Sequence, residues 1–151
     1  MSRVARWVPP ASLILSLVGL GASIYLTIAH FTSPNVLACP ANGTIDCALV
    51  TTSAQSRFLG MPVAVLGLVW FIAMTALCLP AAWSTEHRLV HLARLVGSIA
   101  GVAFVLWLVY AELFLIGAIC EWCTVAHVTA FGLFVIAALT APALLGEPPD
   151  E

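Results

Sequence analysis

Four long apolar stretches divide the chain, and its charged residues lie between them. The stretches that contain no Asp, Glu, Lys or Arg are residues 7–45, 58–85, 95–111 and 122–146. A helix needs about 20 apolar residues to cross the hydrocarbon core of a membrane, which is about 30 Å thick. The pattern therefore predicts four membrane-spanning helices, at 10–31, 61–81, 94–118 and 121–145, with a loop at 32–60 between the first two.

The composition supports the same interpretation. Of the 151 residues, 62% are hydrophobic and 8% are charged, whereas about a quarter of the residues in an average soluble protein are charged. A cleaved signal peptide is an alternative for the first span, because Arg3 and Arg6 precede it, but its apolar stretch is too long. We expect an all-α integral membrane protein, a four-helix bundle that forms one membrane domain over residues 1–151. No basic patch supports binding to nucleic acid.

The arginines indicate the orientation of the bundle. With four spans, the N-terminus and the loop at 82–93 lie on the same side of the membrane. The chain has no lysine, and four of its five arginines fall on that side; the five are Arg3, Arg6, Arg57, Arg88 and Arg94. Cytoplasmic loops carry an excess of Lys and Arg. We therefore expect both termini in the cytoplasm, and the loop at 32–60 and the turn at 117–122 on the outer side.

This topology divides the five cysteines four to one. Cys39 and Cys47 belong to the outer loop, Cys120 and Cys123 to the outer end of the fourth span, and Cys78 to the opposite end of the second span. Disulfides form in oxidising compartments, so two pairs on the outer side fit disulfide chemistry. A lone cysteine in an apolar span, such as Cys78, is typical of packing.

The Cys120-Glu121-Trp122-Cys123 motif stands at the predicted start of a helix. That position places both sulfurs on one turn at the positive end of the helix dipole, which favours attack by a thiolate. An isolated C-x-x-C is equally compatible with a static disulfide that clamps the turn between the third and fourth spans.

The other pair, Cys39 and Cys47, is separated by the turn formers Pro40 and Asn42-Gly43, which let the chain reverse and the sulfurs meet. A structural staple and a zinc site are alternatives. Zinc ligands usually come in closer C-x2-4-C pairs, so we expect no metal. Two pairs on one face of the membrane favour a relay that passes electrons through mixed disulfides.

Together these motifs resemble the vitamin K epoxide reductase family, in its short bacterial form without a fused thioredoxin domain. The resemblance is carried by the loop pair, by Ser53 six residues after Cys47, by Phe58-Leu59-Gly60-Met61-Pro62, and by the C-x-x-C motif that follows Ile116-Gly117-Ala118-Ile119. In the other quinone-linked disulfide oxidase family, also a four-helix bundle, the C-x-x-C motif comes first and the wider pair second. The order here is the reverse.

The resemblance implies a role for each matching residue. Cys123 would lie next to a bound quinone, menaquinone or ubiquinone, and Cys120 would exchange with Cys47. Cys39 would react with a thioredoxin-fold extracytoplasmic partner, and Ser53 would lie near the quinone. In bacterial relatives, electrons run from secreted thiols through such a partner to a quinone of the plasma membrane. In animal relatives they run to vitamin K epoxide.

Two ionisable residues lie within the predicted spans. Glu112 and His127 each lie about six residues from the outer turn, which places both roughly 10 Å below the membrane surface. Buried ionisable groups in a bundle are functional candidates, so we expect one or both to line the quinone pocket. The alternative is a mutually satisfied polar pair without a catalytic part. His127 also replaces a tyrosine of the animal pattern, which argues against vitamin K epoxide as the physiological substrate.

Apolar and polar residues alternate in the loop segment 46–59, which predicts a short helix across the mouth of the bundle. Small residues in the spans indicate helix packing within a monomer. We thus expect an oxidoreductase of the bacterial plasma membrane that reoxidises a periplasmic thioredoxin-fold protein. The alternatives are a reductase of quinone or vitamin K epoxide driven by external dithiols, a non-enzymatic scaffold with structural disulfides, and a transporter, for which intramembrane polar groups are too few.

Overall fold

The computed structural model describes residues 4–40 and 42–146 of the chain. Its α-helices in these ranges are α1 (Val8–Phe31), α2 (Cys47–Thr52), α3 (Val63–Cys78), α4 (Pro80–Ser84), α5 (Arg88–Tyr110) and α6 (Glu121–Leu145). A π-helical turn, Ala111–Ile116, continues α5, and short 3-10 turns lie at Pro34–Val36 and Ala54–Ser56. The strands β1 (Arg57–Phe58) and β2 (Met61–Pro62) form a small antiparallel hairpin. The fold is therefore essentially all-α.

Three helices in the described part of the chain are long and apolar enough to cross a membrane: Val8–Phe31, Arg88–Ile116 and Glu121–Leu145. The fourth apolar helix, α3, has 16 residues, about 24 Å at 1.5 Å per residue. It is shorter than the predicted span at 61–81 because Pro80 cannot continue the hydrogen-bond ladder and forces Leu79 out of helical geometry. By contrast, α5 extends beyond its predicted span: it begins at Arg88, six residues before the predicted start at residue 94.

The bundle is organised around α1. This helix packs along both α3 and α6, and α5 packs along α6, whereas α3 and α5 touch only sparsely. Small buried residues make the central contacts possible, and they lie on one face of α1: Ser12, Ser16, Gly19, Ala22 and Ser23. A Cβ at Gly19 would overlap the ring of Phe71 on α3. Close packing on two sides of α1 leaves a gap between α3 and α5.

A buried arginine stabilises the chain break after α3. The Arg94 side chain donates to the carbonyl oxygen of Leu77 at 3.0 Å and to that of Ala82 at 3.1 Å. Its guanidinium also lies 3.6 Å from the ring centre of Trp83. Carbonyl groups at a helix end need partners when they are buried. Arg94 supplies these partners where α3 ends and α4 begins.

Candidate functional site

Cys39 and Cys47 form a disulfide, with their Cα atoms 6.1 Å apart. Cys47 is the first residue of α2, whose N-terminus is capped by Asp46: the carboxylate accepts a hydrogen bond from the Leu49 N–H at 2.9 Å. A side-chain cap of this kind satisfies a backbone donor that has no partner within the helix. The cap therefore fixes the start of the helix, and with it the position of Cys47.

A short parallel bridge joins the loop to the segment before α6. Ile45 pairs with Ile119, so that the Ile119 N–H donates to the Thr44 carbonyl at 2.9 Å and the Asp46 N–H donates to the Ile119 carbonyl at 3.1 Å. The chain reaches this position through Gly117, whose φ of +73° lies in the left-handed region that glycine adopts without steric cost. The bridge places the start of α2 beside the start of α6.

Cys47 and Cys120 consequently lie in the same buried cluster. Their side chains are 1% and 0% exposed, and they pack among apolar residues of α1, α2 and the loop. Cys39 and Cys123 pack at the edge of this cluster and are only partly buried. The four cysteines thus form one continuous group. The sulfurs of Cys47 and Cys120 are shielded from solvent, and those of Cys39 and Cys123 are more accessible.

The C-x-x-C motif forms the N-terminus of α6. Cys120 is the N-cap, and its sulfur accepts a hydrogen bond from the Cys123 backbone N–H at 3.3 Å. Cys120 and Cys123 are both free thiols in this structure, as is the buried Cys78. Backbone N–H groups at a helix start favour a negatively charged group there. The motif is arranged for thiol chemistry, whereas Cys78 packs in a separate apolar cluster with Met74 and Phe71.

A cavity of about 430 Å³ opens beside Cys123. Its walls are mainly apolar and come from α1, α2, α3, α5 and α6, from the π-helical turn and from the hairpin with the turn before it. The polar side chains that line it are Ser23, His30, Thr51, Ser53, Gln55, Ser56, Glu112 and His127. An apolar cavity with a few polar groups is the usual form of a small-molecule site. The structure therefore brings the three residues predicted to line a pocket, Ser53, Glu112 and His127, together with one cysteine of the C-x-x-C motif.

Each of these three residues is held by its own element. Ser53 ends α2, and its hydroxyl donates to the Val50 carbonyl at 2.7 Å, which leaves the oxygen able to accept a further hydrogen bond. Glu112 lies in the π-helical turn, where its backbone carbonyl accepts from the Gly117 N–H at 2.9 Å. His127 lies in α6. The side chains of Glu112 and His127 are both buried, and both line the cavity.

The cavity wall includes residues that the sequence analysis did not nominate. The Trp70 indole N–H donates to the Gly97 carbonyl at 2.9 Å and so connects α3 to α5. Its ring lies over Gly101, where any Cβ would overlap it. Phe58 of the hairpin contacts Phe104 of α5 edge to face, with ring centres 5.4 Å apart. Gly97 and Gly101 form a GxxxG pattern in the sequence, which indicates close helix packing but does not predict a cavity wall.

No group of three or more His, Cys, Asp or Glu side chains suited to a metal ion occurs within residues 4–40 and 42–146. The candidate functional features of these residues are the four clustered cysteines and the apolar cavity beside Cys123.

A helical membrane bundle with one cystine, one free C-x-x-C pair and an adjoining apolar cavity defines a membrane oxidoreductase that acts on thiols and disulfides. Comparison with family models agrees: the model described as "Vitamin K epoxide reductase family" matches residues 10–138 of this chain. The protein belongs to the vitamin K epoxide reductase family, whose members are oxidoreductases that act on disulfides and quinones. The predicted resemblance and the predicted membrane class are confirmed.

Proposed function

We propose that this protein is a quinone-dependent disulfide-generating oxidase of a bacterial plasma membrane, and that it reoxidises an extracytoplasmic thioredoxin-fold partner. One observation carries the proposal. Cys47 and Cys120 share a buried cluster, while Cys123 lines the apolar cavity and Cys39 lies at the edge of the cluster. That order along the site, from Cys39 through Cys47 and Cys120 to Cys123, is the order that an electron relay requires.

The relay begins at the outer pair. A thiolate of the reduced partner attacks the sulfur of Cys39, which forms a mixed disulfide and releases Cys47 as a thiolate. The second thiol of the partner then attacks that mixed disulfide, so the partner leaves oxidised and Cys39 becomes a thiol. The two electrons of the partner now reside on Cys39 and Cys47. Each step is an ordinary thiol-disulfide exchange.

The second exchange passes these electrons inward. Cys47 attacks Cys120 of the oxidised inner pair and releases Cys123. Cys39 then attacks Cys47, which restores the Cys39–Cys47 disulfide and releases Cys120. Completion of this transfer would leave Cys39 and Cys47 as a disulfide and Cys120 and Cys123 as thiols. Because the sulfurs of Cys47 and Cys120 are shielded from solvent, thiols of other proteins cannot readily intercept the exchange, whereas a small dithiol can still reach the more accessible Cys123.

The last step needs an acceptor of two electrons and two protons, and menaquinone or ubiquinone supplies this chemistry. The cavity fits such a substrate because it is mainly apolar and carries its polar groups close to Cys123. Ser53 would lie near the quinone, and its hydroxyl oxygen would accept a hydrogen bond from the hydroxyl group of the reduced hydroquinone. Glu112 and His127, both buried at the cavity, would hold or move the protons that the thiols release.

The proposed topology has four spans within a single membrane domain over residues 1–151, in a monomer. The 16-residue α3 serves as the second span, with the chain around Pro80 and α4 completing its passage. Both termini then lie in the cytoplasm, and the Cys39–Cys47 loop lies in the periplasm. The distribution of arginine supports this orientation.

A scaffold with two structural disulfides is the main alternative of another class. Cys123 lines the cavity and Cys120 shares a buried cluster with Cys47, an arrangement that favours an exchange site over a purely structural disulfide. A reductase that uses vitamin K epoxide is less well supported, because His127 occupies the position of the animal tyrosine.

The test is quinone reduction by the purified protein in detergent, with a reduced thioredoxin-fold protein as electron donor. We expect turnover by the wild type, none by Cys123→Ala, and failure of Cys39→Ala with the protein donor but not with dithiothreitol. Cys78→Ala is the matched control, because it removes a thiol outside the relay and should retain turnover. If the wild type reduces neither menaquinone nor ubiquinone, the proposed function is wrong.

A further inference from the structure

The segment that leads into Cys39 is held by the side chain of Tyr25. The Tyr25 hydroxyl, from α1, donates to the Val36 carbonyl at 2.7 Å and accepts the Ala38 N–H at 3.0 Å. One hydroxyl group thus uses both its donor and its acceptor capacity on the backbone of the loop. Val36 and Ala38 are both exposed, whereas Leu37 between them is buried in the cluster with Cys47. The hydroxyl thus adds two backbone hydrogen bonds on either side of this one buried side chain.

The same segment is also held by the C-x-x-C motif itself. The Trp122 indole N–H donates to the Ala38 carbonyl at 3.1 Å. The Trp122 ring contacts that of Tyr25 edge to face, with ring centres 4.8 Å apart. Both backbone polar groups of Ala38, the residue immediately before Cys39, are therefore bonded to one aromatic pair.

We propose that Trp122 and Tyr25 are positioning residues that hold Cys39 against Cys47 and thereby direct the exchange between the two cysteine pairs. This inference rests on the proposed function and deepens it. The loop is attached to the inner motif at two places: near Cys47 by the Ile45–Ile119 bridge, and before Cys39 by Trp122. A residue between the two cysteines of the inner pair thus positions the outer pair.

The step that depends on this positioning is the release of Cys120. In the mixed disulfide between Cys47 and Cys120, the Cys39 thiolate attacks the Cys47 sulfur. The Cys39–Cys47 bond forms, the Cys47–Cys120 bond breaks, and Cys120 leaves as a thiolate that takes up a proton. Holding the attacking sulfur close to its target raises its effective concentration. Loss of either hydrogen-bonding group should therefore favour the mixed disulfide.

The experiment measures the ratio of the Cys39–Cys47 disulfide to the Cys47–Cys120 disulfide directly. It needs no quinone and no partner protein. In a Cys123→Ser background, Cys39, Cys47 and Cys120 can form either the Cys39–Cys47 or the Cys47–Cys120 disulfide. The detergent-purified protein is reduced, equilibrated in a glutathione redox buffer, acid-quenched, alkylated and digested, and the two cross-linked peptides are quantified. We expect Cys39–Cys47 to predominate in this parent.

Two variants remove one polar group each and keep an aromatic ring: Trp122→Phe and Tyr25→Phe. Trp122→Phe removes one hydrogen bond and should shift the ratio toward Cys47–Cys120 by about five-fold, the effect of one typical hydrogen bond. Tyr25→Phe removes two and should shift it at least as far. Trp107→Phe and Tyr110→Phe are the matched controls, because these exposed residues of α5 contact each other away from the cysteines. They should leave the ratio unchanged.

A shift in both variants beyond that of both controls supports the positioning role. A ratio within two-fold of the parent in Tyr25→Phe overturns it, and so does an equal shift in the controls. If Trp122→Phe does not fold, the Tyr25→Phe result decides alone. Because the ratio is measured without quinone, failure of the wild type to reduce quinone would contradict the proposed function while leaving this measurement valid.

Discussion

Ile45 and Ile119 lie side by side as a parallel bridge, although one precedes the outer cysteine helix and the other precedes the inner cysteine motif. Their backbones exchange hydrogen bonds through the neighbouring Thr44 and Asp46. This backbone pairing brings the start of α2 beside the start of α6, and with them two cysteine pairs that are far apart in sequence.

Gly117 should be required for this pairing. Its φ of +73° is strained for any other residue, while the space around its missing Cβ is open. We expect Gly117→Ala to lower the free energy of unfolding by about 1–2 kcal/mol, for conformational reasons alone. Thermal unfolding in detergent would measure this. Gly21→Ala, at an open helical position, is the control and should not destabilise the protein; equal losses in both would contradict the explanation.

Arg94 should contribute strongly to stability. Arg94→Met leaves the carbonyl groups of Leu77 and Ala82 without their side-chain partner, and an unsatisfied buried polar group costs about 1–3 kcal/mol. We expect the free energy of unfolding to fall by at least about 2 kcal/mol in a denaturation experiment. Arg88→Met removes an exposed arginine of the same helix and should have little effect. Comparable stability of the two variants would show that Arg94 does not perform this role.

Gly101 should control the size of the cavity beside Cys123, which we propose as the quinone site. A Cβ there overlaps the Trp70 ring, so Gly101→Ala must displace that ring at the cavity wall. We expect the KM for quinone to rise several-fold, because part of the binding space is lost, while kcat changes less. Steady-state kinetics with dithiothreitol as donor would separate the two constants. Gly21→Ala again serves as the control, and an unchanged KM in Gly101→Ala would rule out quinone contact with this wall.

Glu112 and His127 should matter for proton transfer during quinone reduction. Positioned acids and bases commonly contribute about 100-fold or more to a rate. We expect the Glu112→Leu, His127→Leu double variant to lose at least about ten-fold in kcat with dithiothreitol as donor. Thr75→Val, which alters a polar group of α3 outside the cavity lining, should retain activity. Full turnover by the double variant would leave Glu112 and His127 as a structural pair.

The sequence by itself determined the class of the protein and its chemistry. Long uncharged stretches require a membrane, because each is hydrophobic enough to make burial in lipid favourable. The position of α6 followed from such a stretch: it begins at Glu121 and ends at Leu145, as predicted. The cysteine motifs indicated the family because their spacing and order are local properties of the chain.

Only the tertiary structure decided how these parts meet. The predicted span at 61–81 ran past Pro80, the local signal that ends α3 at Cys78. Only the structure shows that Arg94 from another helix supplies hydrogen-bond partners for the carbonyl groups of Leu77 and Ala82 at this break. The contacts of Trp122 with Tyr25 and Ala38 join three distant segments, and no local pattern specifies them. Periodicity shows which face of a helix is buried, but the identity of the residue opposite depends on the packing of the whole bundle.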